Sequence, residues 1–174
     1  MKKSLVRVKV TGLLAARSSR ARKALARAKP QAGGVVYSCI HGPSGKGSVP
    51  VLTASILIES LKTGLSVNEL EALRSSLGLP MDRLAPMLGI SKATLHRRKL
   101  AGRLDSAESD RVLRFARLMG TAIEVLETEE NARSWLASSQ YGLGGAVPLE
   151  YAETEVGARE VENLLGRIEH GVYS

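Results

Sequence analysis

From about residue 50 to the end of the chain, apolar side chains recur every third or fourth position, and short polar or glycine-containing breaks separate the runs. That period belongs to one face of a helix. Ser66 followed by Glu69 has the form of a capping box, and Leu65, Leu70, Leu73 and Leu77 carry the stripe beside it. Pro80 is placed to open a second helix and Gly89 to end it. Ser91 is placed to cap a third, with Ile90 and Leu95 spaced as a hydrophobic staple. A longer helix is predicted from about Ser106, with Val112, Phe115, Ala116 and Met119 on one face. A short helix around Trp135, a turn at "YGLGGAVP" and a last helix after Thr154 follow. In that last helix Val161, Leu164, Leu165 and Ile168 stand at i, i+3, i+4 and i+7, an amphipathic stripe. No alternating run suggests a strand and no internal repeat is evident. The pattern predicts an all-α fold.

Composition narrows this. Apolar residues make up 44% of the 174, enough for a core, but aromatics only 3%, so the core must be aliphatic. The single cysteine, Cys39, rules out an internal disulfide and fits a reducing cytoplasm. No apolar run reaches the length of a bilayer span, and Arg7 and Lys9 interrupt the start where a signal peptide needs an unbroken apolar stretch. A cytoplasmic protein without a membrane partner is therefore expected.

Charge is unevenly spread. Residues 1–49 hold eleven Lys and Arg and no acid, whereas residues 50–174 hold 14 basic against 17 acidic residues. Within the latter, residues 83–117 carry nine basic and three acidic side chains, and residues 120–174 carry three basic and ten acidic ones. A basic arm, a basic centre and an acidic end suggest a polyanion partner for part of the chain. Residues 1–49, with the stretch "RSSRARKALARAKPQAGG", read as a basic, largely disordered arm and linker. Residues 50–120 read as one helical domain and 121–174 as a second. "GPSGKGS" (42–48) lacks the leading glycine and the Ser or Thr after lysine that a phosphate loop requires, and reads as a flexible linker.

The stretch "MDRLAPMLGISKATLHRRKLAG" has the layout of a helix-turn-helix. Ala85 is the small residue at a helix crossing, Gly89 marks the tight turn, and Leu84, Leu88, Ile90 and Leu95 are the buried aliphatics around it. Its second helix would present Ser91, Lys92, Ala93, Thr94, Arg97 and Arg98 to DNA. An ordinary helical pair with a solvated basic face is the alternative. Because Leu95 faces inward, Arg98 is partly inward too, and either touches DNA or pairs with Glu108 or Asp110. Arg111, Arg114 and Arg117 recur on the next helix, as phosphate contacts or as a solvated stripe. Catalytic constellations are poor. His41, His96 and His170 lack metal-ligand spacing, Cys39 with His41 lacks further ligands, and Glu169–His170 is an acid/base pair only by adjacency. No enzyme, metal or cofactor is expected.

From about residue 65 the chain resembles the Xre antitoxins of RES–Xre toxin–antitoxin modules, the MbcA/ParS/Xre family. Four stretches carry the likeness in order: "LAPMLGISKATLHRRKLAGRL", "ESDRVLRFARL", "ARSWL" joined to "GLGGAVPLEYAETEVGAREV", and "LLGRIEHGVYS". The resemblance implies a helix-turn-helix domain that binds operator DNA at the module's own promoter; a homodimer is expected because one such head reads too few bases for useful specificity. It also implies a C-terminal domain that joins a RES toxin, an NAD-consuming enzyme, in a hetero-oligomer and obstructs its active site. On that reading the toxin-binding residues are Trp135, Leu143, Pro148, Leu149, Glu169, His170, Val172, Tyr173 and Ser174. Val172 is expected to fold back on the last helix, leaving Tyr173 for the partner. The rivals are a stand-alone helix-turn-helix regulator or nucleoid-type binder, and an enzyme using Glu169 and His170.

Overall fold

The structure, a computed structural model, describes residues 34–42 and 53–172. Among them are nine α-helices and one 3-10 turn. In order these are α1 (Val35–His41), α2 (Ala54–Thr63), α3 (Val67–Leu77), α4 (Met81–Met87), α5 (Lys92–Ala101), α6 (Ser106–Leu126), α7 (Glu129–Ala137), the 3-10 turn Tyr141–Leu143, α8 (Pro148–Tyr151) and α9 (Glu155–Glu169). No strand occurs among the described residues; a lone antiparallel bridge joins Ser66 to Arg103. The all-α expectation holds.

Five helices pack on α6, which touches α1, α2, α3, α7 and α9. Val112, Phe115, Ala116, Leu118, Met119 and Ala122 are wholly buried along it, so its apolar residues face several directions rather than one stripe. A helix that buries more than one face belongs at the centre of a bundle. Its start is doubly secured. The Asp105 carboxylate accepts the Glu108 N–H, and the Glu108 carboxylate accepts the Asp105 N–H, a reciprocal capping box. Buried Ser109 then donates to the Asp105 carbonyl and accepts the Leu65 N–H, which stitches α6 to the chain before α3.

The sequence placed a capping box at Ser66 and Glu69, and the structure corrects it. Ser66 is the N-cap of α3 by backbone geometry, but its side chain makes no capping bond. Glu69 instead turns to α1, where its two carboxylate oxygens accept the Val35 and Val36 N–H groups at 3.0 and 2.9 Å. A short helix distant in sequence offers the same orphan donors as the helix's own first turn, and here it takes the carboxylate.

Helix α1 lies within the stretch expected to be largely disordered. Val36 and Ile40 are nevertheless buried in the common core. The docking depends on Gly120, on α6, where an added Cβ would meet the Cys39 carbonyl oxygen at 2.5 Å. Residues 1–33, the linker at 43–48 and the last two residues, Tyr173 and Ser174, lie outside the described residues.

The chain turns sharply between α6 and α7 at Glu127, the one non-glycine residue with positive φ (70°) among those described. Polar ties then bind the later helices to the earlier ones. Arg114 on α6 pairs with Asp110 and with Glu155 of α9, and Arg117 pairs with Glu162. Arg133 of α7 donates to the Ser76 carbonyl near the end of α3. Arg111 donates to the Leu88 carbonyl at 2.6 Å. The arginines at 111, 114 and 117 thus each make an internal tie instead of forming a purely solvated stripe.

The docking of α1 has a chemical readout. Burial pushes the Cys39 thiol up to about 11, against a partial pull downward from Arg117. At pH 8 it should therefore carry about a hundredfold less thiolate than an ordinary cysteine and react correspondingly slowly with an aromatic disulfide reagent. Gly120→Ala should destabilise the fold by roughly 1–3 kcal/mol through overpacking, and should speed Cys39 labelling by loosening α1. Thiol-labelling kinetics beside a denaturant melt check both.

Candidate DNA-reading head and partner-binding cleft

Helices α4 and α5 form the predicted helix-turn-helix. Leu84, Ala85, Leu88 and Ile90 are buried at the crossing, and Leu95 packs against that core. The turn is tight: Ile90 N–H returns to the Ala85 carbonyl at 2.8 Å and Gly89 takes φ 66°. The positive φ is what favours glycine; a Cβ there would also lie 2.8 Å from the Arg111 guanidinium that braces the turn and would displace it.

Ser91 caps α5 by accepting the Thr94 N–H at 3.1 Å, and the two hydroxyls also bond each other. Both side chains are thereby partly committed to the helix end. Lys92, Ala93, His96, Arg97 and Leu100 are exposed. Among the described residues no ion pair engages Lys92 or Arg97, whereas Lys99 reaches Glu71. His96 and Leu100, which is 78% exposed, share the Ala93–Arg97 face by helical spacing. Sequence reading left both out, although counting three, four and seven residues from Ala93 finds them.

Arg98 resolves the other way. Its Nε donates to Glu108 at 2.7 Å and its Nη2 to Asp105, so it links the end of α5 to the capping box of α6. Glu108 is 5% exposed, and a buried carboxylate demands such a partner. Arg98 therefore acts as an internal brace rather than a DNA contact, with Asp105 in the place expected for Asp110. The Glu108 N–H, helped by the Arg98 charge, holds the Asp105 carboxyl below the usual carboxylate range. The Glu108 hydrogen bond raises Arg98 above its already high ordinary value.

A second feature lies at the far end of the chain. The end of α6, helix α7, the 3-10 turn and α9 enclose an open cavity of about 470 Å³. Its walls are mainly apolar: Leu126, Trp135, Leu164, Ile168 and Val172, with Tyr141, Gln140 and Arg167 among the other lining residues. Tyr141 is wholly exposed and Val172 is 54% exposed. Val172 reaches the cleft because Gly171 reverses the chain after α9, with the Val172 N–H donating to the Arg167 carbonyl at 2.9 Å. That fold-back agrees with expectation.

The residues proposed for the partner do not share one environment. Trp135 lines the cleft, and Leu143 is half-buried against the core. Pro148 and Leu149 are buried, Pro148 as the first residue of α8 and Leu149 in the core, which removes them from the binding surface. Glu169 and His170 are exposed at the end of α9. Tyr173 and Ser174 fall outside the described residues. Tyr141 and Arg167 went unnoticed in the sequence, since only the packing of the turn against α9 brings them together.

Residues 56–117 match the family described as the antitoxin Xre-like helix-turn-helix domain, and residues 121–171 match the antitoxin Xre/MbcA/ParS C-terminal toxin-binding domain. The chain belongs to the Xre/MbcA/ParS antitoxin family. It is similar to an Antitoxin Xre of Yersinia enterocolitica, 34% identical over 128 residues that cover 72% of this chain and 86% of the relative. An Antitoxin Xre of Photorhabdus laumondii is 39% identical over 74 residues, 42% of this chain and 50% of the relative. A Prs ADP-ribosylating antitoxin of a Sphingobium species is 24% identical over 147 residues, covering 75% and 92%. For this antitoxin the head is therefore a DNA-binding domain, and the cleft lies wholly inside the toxin-binding domain apart from the adjoining Val172.

The two neighbouring arginines should separate cleanly. Arg97→Ala should weaken binding to a preferred site by about 1–3 kcal/mol and relax specificity. Arg98→Ala should lower thermal stability and leave the ratio of specific to random affinity unchanged. Footprinting alongside thermal melts checks this pair.

Acid titration tests the brace. A carboxyl with a depressed folded-state pKa stabilises the fold above its ordinary pKa, and that contribution disappears as pH falls through the depressed value. The Asp105 contribution should thus be constant near neutrality and lost in acid. In Asp105→Asn the acid limb of the stability profile should be shallower, as measured by denaturant melts across pH.

Proposed function

We propose that this antitoxin neutralises a RES-type, NAD-consuming toxin encoded beside it, by docking its C-terminal domain over the toxin and obstructing the active site. We infer further that it represses the shared operon as a homodimer through the helix-turn-helix, in the cytoplasm. The cleft carries the reading. An open apolar cavity edged by an exposed tyrosine and a half-exposed valine is unsatisfied surface on a monomer, and large aromatic side chains of this kind anchor protein interfaces.

Two further points support the reading. The Sphingobium relative is named for ADP-ribosylation of Prs, and ADP-ribosyl transfer draws its ADP-ribose from NAD. The homodimer follows from what one head can read, since a single recognition helix touches too few bases for useful specificity, and two-fold symmetry doubles the site.

The direct test is an NAD-consumption assay with the purified product of the neighbouring gene. Added antitoxin should abolish turnover, and an inert neighbour or an unaffected rate would refute the proposal. Tyr141→Ala should weaken the complex by about 2 kcal/mol or more if it is a central anchor. A chain ending at His170 should still fold and bind DNA but fail to suppress NAD loss. Full inhibition by that shortened chain would assign obstruction to the body of the domain.

A further inference from the structure

The cleft at the far end of α6 holds a charge contrast that its apolar walls do not explain. Residues 120–174 carry ten acidic and three basic side chains, yet no carboxylate lines the cavity and one guanidinium does, that of Arg167. The domain's other two cations are engaged: Arg133 pairs with Glu129, and Arg159 with Glu155. Arg167 is half-buried on the cleft wall, and among the described residues no ion pair engages it.

Withdrawing a guanidinium partly from water carries a cost that an anion normally offsets. Arg167 stands in the last turn of α9, where a cation complements the helix dipole. A lysine reaching into solvent would serve that purpose equally, so the dipole does not account for a cation in an apolar wall free of acids. The surface also continues outward from the cavity. Tyr141 is wholly exposed and Val172 half-exposed on its rim, which gives contact area beyond what a small molecule inside would cover. Aromatic side chains and arginine are the residue types that dominate protein interfaces, and the cleft falls within the region that matches a toxin-binding domain, Val172 adjoining it.

We propose that the cleft receives an apolar segment of the toxin that carries an Asp or Glu, and that Arg167 selects this segment by pairing with its carboxylate. This rests on the proposed docking of the C-terminal domain on the neighbouring toxin. The segment's apolar side chains pack against Trp135, Leu164 and Ile168, and closing the cleft withdraws the ion pair from water. A bidentate guanidinium–carboxylate pair is both stronger and more directional in such a place. It supplies specificity as well, because a segment with the same apolar residues but no acid would bury Arg167 without a partner.

The test measures binding of the full chain to the purified product of the neighbouring gene, with thermal melts and DNA binding as controls for folding. Arg167→Gln should weaken toxin binding roughly tenfold or more, and Arg167→Glu further, while melting and DNA affinity stay close to native. Arg167→Lys keeps the charge and the dipole contribution but loses the bidentate fork, so it should fall between native and Arg167→Gln. Each surface Asp and Glu of the toxin is then changed to Lys, one at a time, and one of these variants should restore binding to the Arg167→Glu antitoxin. Native affinity in Arg167→Gln, or a set in which no toxin variant rescues Arg167→Glu, would overturn the proposal and leave the docking reading intact. Tight binding of ADP-ribose to the free antitoxin, lost in Arg167→Gln, would overturn it too, by making the cleft a nucleotide pocket. A neighbouring product that does not bind the native antitoxin refutes the proposal together with the docking on which it rests.

Discussion

One uninterrupted helix belongs to both halves of this molecule. The DNA-binding match ends at residue 117 and the toxin-binding match begins at 121, both inside α6 (106–126). A continuous ladder of backbone hydrogen bonds leaves no soft dihedral at that junction, so the two domains cannot hinge as beads on a linker do. Their cores merge instead: Phe115 and Met119 of α6 and Leu165 of α9 share a cluster with Leu84 and Leu88 of the reading head. The ion pairs from Arg114 and Arg117 to α9 add direction to this packing more than strength, since partly exposed pairs contribute little.

The start of α6 is where polar chemistry concentrates. Asp105, Glu108 and Ser109 cap it, Arg98 braces it from the reading helix, and Leu65 is held by the Ser109 hydroxyl. Burying Glu108 is tolerable because its carboxylate accepts a backbone N–H and a guanidinium N–H together. The consequence for function is orientational. A recognition helix with no fully buried residue of its own has little apolar packing to fix its angle, and the Arg98 link supplies a second point of attachment.

The cleft arises from the opposite balance. At the other end of α6 a 3-10 turn with its glycines meets α9, and the apolar walls there enclose an open cavity that the chain's own side chains do not fill. A monomer that exposes such a cavity beside Tyr141 and Val172 keeps surface for a partner at the expense of its own packing. The rigid connection through α6 then carries that surface and the DNA-reading face on one body.

Local rules were legible in the sequence wherever neighbours along the chain decide the outcome. The helix spacing, the Ser91 cap, the tight turn at Gly89 and the chain reversal at Gly171 depend on residues within about one turn of each other, and they stand as read. The family resemblance was equally legible, because the order of several such local stretches is itself specific. What the chain alone left open were choices among partners far apart in sequence. Glu69 could cap its own helix or α1, Arg98 could face DNA or Glu108, and Leu149 could face a toxin or the core. Each choice sets a desolvation penalty against a hydrogen bond or an apolar contact, and only the assembled fold says which groups lose water. Val36 and Ile40 make the point most simply: a short helix next to a low-complexity basic segment has no local signal of burial, and acquires one only where Gly120 leaves α6 open to receive it.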